Sequence, residues 1–150
     1  MTLVRPVLLL ACFLVLACGD AVTNPALDGF EADPRPIQGD WVTIHDPPND
    51  DRLLLPAEIV PAGGRLLGSF EFNRFGSFWK VQFNDATWDG TRMRFTVQMT
   101  IDGSTLPVQW TATFFPRESG EPPRLLLASD PFGGSAAPIE YLRPRDVEAR

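Results

Sequence analysis

The chain has 150 residues, a formal charge of −6 at pH 7 and a single histidine. That length suits one domain with a modest core. An acidic chain without a basic run excludes nucleic acid as a partner, because affinity there comes from neutralising phosphates. Fifteen prolines and twelve glycines exclude a protein built on long helices, which both residues interrupt.

At the N-terminus, Arg5 precedes eleven apolar residues from Val7 to Ala17. A positive charge, a short apolar run and a small residue at a cut point are the layout of a secretory signal. The run is shorter than the roughly 20 residues a membrane-spanning helix needs. Val15-Leu16-Ala17-Cys18 resembles the bacterial lipobox, in which a signal peptidase cuts before the cysteine and the thiol takes up lipid. The resemblance implies that residues 1–17 are a signal peptide and that Cys18 is the lipidation site. Cys12 then leaves with the signal, and the exported domain holds itself together without a disulfide. Several acyl chains on one cysteine anchor stably. Gly19 behind the cysteine is similar to the default sorting signal of a two-membrane cell. The expected location is therefore the bacterial cell envelope, on the outer membrane facing the periplasm. Cleavage leaves 133 residues with 12 basic and 19 acidic side chains, a net charge of −7. Such a domain stands off an anionic membrane rather than lying flat on it.

Residues 18–38 are polar, punctuated by proline and without periodicity, and read as the lipidated cysteine followed by a flexible tether, Asp20 to Pro36. Residues 39–150 read as an antiparallel β domain. The expected strands are Asp40–His45, Leu53–Val60, Arg65–Phe72, Phe78–Thr87, Arg92–Ile101, Leu106–Phe114, Arg124–Ala128 and Ile139–Arg143. Short strands at this spacing, parted by turn residues, point to an all-β up-and-down meander.

The centre of the chain carries the strongest pattern. From Met93 to Ile101 every odd position is apolar and every even one polar, as in a half-buried antiparallel strand. Asp102-Gly103 behind it suits a two-residue hairpin turn. That turn pairs Met99 with Leu106, Val97 with Val108, Phe95 with Trp110 and Met93 with Ala112, all apolar and all on one side. A three-residue loop at Trp88-Asp89-Gly90 would likewise pair Phe83 with Phe95, Val81 with Val97 and Trp79 with Met99. One face of the meander is then Trp79, Val81, Phe83, Met93, Phe95, Val97, Met99, Val108, Trp110, Ala112 and Phe114.

Gly39-Asp40-Trp41 at the start of the first strand resembles the glycine–tryptophan motif of the calycins, the lipocalins, fatty-acid-binding proteins and avidins. The resemblance implies an eight-stranded, lipocalin-like barrel, with Gly39, Trp41 and Arg143 closing one end. A second lipocalin motif between the middle strands is not evident, nor is a helix in Ser129–Pro138. A β-sandwich or a half-barrel are the alternatives.

Little in the chain points to catalysis. The one histidine, His45, has no nucleophile to activate, since no Gly-x-Ser-x-Gly elbow exists and no cysteine remains free. His45, Asp46, Asn49, Asp50 and Asp51 cluster in sequence but lack the spacing of a calcium loop and read as an acidic turn. Glu58, Glu71 and Asp85 are scattered singles, and Gly133-Gly134-Ser135 is too short to cradle phosphate. No enzyme activity, cofactor or metal is expected. Eleven phenylalanines, one of them Phe13 in the signal, and four tryptophans leave two outcomes for a barrel of this size, a filled core or room for one small ligand. The candidate ligand-binding set is Trp79, Phe83, Met93, Phe95, Met99, Trp110 and Phe114, with the methionines as adaptable lining. The leading expectation is a membrane-anchored module that binds an apolar small molecule. The alternative is a structural or interaction lipoprotein that binds an envelope protein.

Overall fold

The computed structural model describes residues 27–46, 51–74, 76–101, 103–129 and 137–147. The signal segment, Cys18, Asn49, Asp50 and Gly133-Gly134-Ser135 lie outside the described residues. The strands are β1 (Gly39–His45), β2 (Leu53–Ala62), β3 (Arg65–Arg74), β4 (Ser77–Trp88), β5 (Arg92–Ile101), β6 (Ser104–Phe115), β7 (Arg124–Ser129) and β8 (Ile139–Leu142). A one-turn helix, α1 (Pro144–Val147), follows. All ladders are antiparallel between sequence neighbours, and β1 meets β8 at Val42–Leu142, so the meander closes into a barrel rather than a sandwich or half-barrel. No helix among the described residues is long and apolar enough to cross a membrane.

Alternation sets the inner face. On β5, Met93, Phe95 and Met99 are buried while Arg94, Thr96 and Gln98 are exposed. The β5–β6 register is the expected one, with Phe95 opposite Trp110 and Val97 opposite Val108. All eleven residues assigned to the inner face belong to the core or pack against it. Four rings fill its middle. Phe70 lies 5.7 Å from Phe83, 6.0 Å from Phe95 and 5.1 Å from Tyr141.

The β4–β5 hairpin differs from expectation. Thr87 pairs with Arg94 and Trp88 with Met93, so Trp88 is a buried strand residue and not part of the turn. The cause is a bulge in β4. Phe83 and Ala86 both face inward with Asn84 and Asp85 exposed between them, opposite Gly68 and Leu66 of β3. One extra residue on one strand puts the alternation out of phase, and counting in twos from Trp79 then misplaces everything beyond Phe83. Asp89 holds the true turn. Its Oδ1 accepts the Thr91 and Arg92 amides at 2.9 and 2.7 Å, and its Oδ2 accepts Arg94 Nη1 at 2.7 Å. Phe83 and Phe95 still meet, with centroids 4.5 Å apart.

Residues 27–38, expected in the tether, lie across one end of the barrel. Pro34 and Ile37 are buried, Phe30 and Ala32 half-buried, and the Asp33 carbonyl accepts Trp88 Nε1 at 3.0 Å. Gly29 packs on Gly64 in the β2–β3 turn, and Ala32 sits beside Gly90 in the β4–β5 turn. A barrel end lined by Trp88 and Met93 needs an apolar cover with a carbonyl for the indole N–H, and this strap supplies both.

Candidate functional site

At the strapped end, Gly39, Trp41 and Arg143 come together. The Arg143 guanidinium lies 3.9 Å above the Trp41 ring. Its Nη1 donates to the carbonyls of Gln38 (2.8 Å) and Asp40 (3.1 Å), its Nη2 to that of Pro36 (2.8 Å). Trp41 is fully buried and donates Nε1 to the Ile37 carbonyl at 2.8 Å. Burial, assisted by Arg145, lowers the Arg143 pKa, and Asp40 and Asp146 oppose that shift. Gly39 has φ of +97°, a left-handed turn that favours glycine and leads the strap into β1. This is a closure, with three carbonyls and an aromatic face held by one planar cation.

The aromatic set proposed for ligand contact is interior but occupied by itself. Phe83, Met93, Phe95, Met99 and Trp110 are buried, and Trp79 and Phe114 are half-buried. Phe114 packs edge-on against Trp41 and Trp88 at the strapped end. Trp110 lies 5.5 Å from Phe72 and 6.4 Å from Phe95. The rings cover one another's faces and fill the barrel.

Space opens instead beside β1 and β2. The β2–β3 ladder stops at Ala57–Phe70 although both strands run on, and β1 touches β8 at one pair. Among the described residues the outer half of the β1–β2 hairpin, Thr43–His45 with Leu53–Leu55, therefore pairs only with itself and forms a flap. Beneath it, β3 and β8 draw together across the barrel. Tyr141 donates its hydroxyl to the Glu71 carbonyl at 2.7 Å, and Arg74 Nη2 donates to the Ala137 carbonyl at 2.8 Å. Burial, with the Glu71 charge added, pushes the Tyr141 pKa up, so the hydroxyl remains a donor.

Between flap and strut lies a cleft of about 390 Å³ lined by Val42, Thr43, Ile44, His45, Leu55, Phe72, Asn73, Ile139, Glu140 and Leu142. Six of the ten are apolar. Thr43, His45, Asn73 and Glu140 supply a hydroxyl, an imidazole, an amide and a carboxylate. The rim at the flap tip is apolar as well, with Leu53 41%, Leu54 50% and Phe78 62% exposed. His45 stands edge-on to Phe78, centroids 5.8 Å apart. This arrangement can shelter an apolar body and orient one polar group.

Of these lining residues, sequence reasoning singled out only His45, and for other chemistry. Leu53-Leu54-Leu55 was the available signal, since consecutive apolar residues on a strand mean apolar surroundings on both faces. Among the described residues no three His, Cys, Asp or Glu side chains could hold a metal ion. Glu71 pairs with Lys80 and Asp85 with Arg65, on the outer wall. Comparison of the chain with protein-family models, with curated proteins and with solved structures gave no match.

Proposed function

We propose that this protein is a lipid-anchored, calycin-like binding module of the bacterial envelope that holds an apolar small molecule under its β1–β2 flap. The observation that carries the reading is the flap cleft. Its size of about 390 Å³ falls within the roughly 300–1,000 Å³ of small-molecule sites, and an apolar wall with a few polar groups is their usual make-up. The Gly39–Trp41–Arg143 closure on an eight-stranded up-and-down barrel supports the calycin likeness. The lipid anchor rests on the Cys18 motif. Eight residues, 19–26, separate Cys18 from the strap, a reach of at most about 30 Å when extended. Because the strap crosses the closed end, the flap end faces away from the membrane and toward the periplasmic space. A neutral fluorescent naphthylamine dye is expected to saturate at one site per chain, with a dissociation constant on the order of micromolar. Ile139→Arg should abolish that binding while the far-ultraviolet spectrum stays unchanged.

The exposed rim favours a second reading. Phe78, Leu54 and Leu53 give the flap tip an exposed apolar edge suited to an envelope protein. Dye binding that survives in Ile139→Arg and disappears in Phe78→Ser would place the dye on this rim and favour the interaction lipoprotein.

A further inference from the structure

A second opening lies on the far wall, independent of the flap cleft. Among the described residues β4 and β5 pair only beside their turn, at Thr87–Arg94 and Trp88–Met93. The ladder ends where the β4 bulge at Asn84-Asp85 begins. Above it, β4 from Ser77 and β5 up to Ile101 run without paired partners toward each other. A trough of about 720 Å³ crosses the outer wall there, from Glu58 on β2 and Leu67, Gly68 and Ser69 on β3, over Lys80, Gln82, Phe83 and Asn84 on β4, to Thr96, Val97 and Gln98 on β5. Gln82, Asn84, Thr96 and Gln98 make no side-chain hydrogen bond to the described residues. Gly68 shapes the neighbouring wall, because a Cβ there would collide with the Glu58 carbonyl oxygen.

We propose that this opening is a docking site for an extended segment of a partner polypeptide, which enters as an added strand between β4 and β5. Two facing strand edges with unpaired N–H and C=O groups are the template that strand addition uses. A peptide backbone satisfies both edges at once, which neither an apolar molecule nor a helix can do. Side-chain alternation then sets the sequence preference. Alternate residues of the guest point inward onto Phe83 and Val97 and are apolar. The residues between them point outward among Gln82, Asn84, Thr96 and Gln98 and are hydroxyl or amide side chains. The bulge is the device that keeps the site open, since it ends the native ladder.

Amide hydrogen exchange of the full-length protein tests this, with a blocked peptide alternating valine and threonine as the probe. In the free protein the gap-facing amides of β4 and β5 should exchange faster than those of the β5–β6 ladder. Saturating peptide should slow them by about tenfold or more, and Thr96→Lys combined with Gln98→Lys should abolish that slowing. Both positions are exposed and outward, so the double variant should keep the wild-type melting temperature. Equal protection by a peptide with proline at alternate positions would overturn the assignment, as would absence of protection at saturation. Protection confined to the β1–β2 hairpin would place the peptide in the apolar cleft and overturn it too.

Discussion

Tyr141 in β8 and Arg143 just beyond it make separate ties, Tyr141 to β3 and Arg143 to the strap. Arg143 ties the strap to β1 through three carbonyls and covers Trp41. Lysine cannot reproduce that planar fork. Arg143→Lys is expected to lower stability nearly as much as Arg143→Ala, by about 1–3 kcal/mol in urea titration. Tyr141→Phe removes a 2.7 Å bond to the Glu71 carbonyl. It should cost about 1–3 kcal/mol, because a buried acceptor loses its partner, and it should loosen the β3–β8 strut beneath the cleft. Asp89 makes a prediction about pH. Its two backbone bonds from Arg92 and Thr91, then the bond from Arg94, lower its pKa from 3.8 to about 2. A carboxylate depressed in the folded state contributes stability that is present above pH 4 and lost as pH falls toward 2. Asp89→Asn should therefore lower the melting temperature near neutrality and flatten its acid dependence across that window, the two proteins converging toward pH 2.

At the level of elements, Gly68 and the β4 bulge decide the shape of the wall. A Cβ on Gly68 would meet the backbone of Glu58, which cannot swing aside as a flexible side chain could. Gly68→Ala is expected to cost more than about 3 kcal/mol, in the range of severe backbone clashes, measurable as lost solubility or a lowered urea midpoint. The bulge also explains which parts of the fold were legible in the sequence. The β5–β6 hairpin could be read residue by residue, because strict alternation and an Asp-Gly turn select the same register. The β4–β5 hairpin could not. Asn84-Asp85 breaks the period of two, and the break is visible only once Leu66 and Gly68 stand opposite. The strap was hidden for another reason, since Phe30, Pro34 and Ile37 show no period that would reveal what they cover. The cleft was less legible still. It forms where β1 and β8, far apart in the chain, meet at a single pair, and its lining comes from both faces of several strands.

For the whole molecule, a filled barrel beside a splayed β1–β2 corner lets stability and the proposed binding be tested apart. The aromatic interior supplies the core of a domain without disulfides, and the flap supplies space that the core lacks. Substitutions in the stack, such as Phe95→Ala, should cost about 3–5 kcal/mol before they affect any ligand. Substitutions in the cleft, such as Ile139→Arg, should affect ligand before stability. The proposed anchor is separable again. Cys18→Ser should move the protein from the membrane fraction to the soluble fraction, leaving the folded domain and its dye binding intact. The most direct test of the proposed ligand-holding module is native mass spectrometry of the full-length protein purified gently from the cells that make it. A bound apolar molecule that survives purification, is released on denaturation and is missing from Ile139→Arg is the expected result. A bare protein mass for both chains, together with no uptake of the neutral dye, would contradict it.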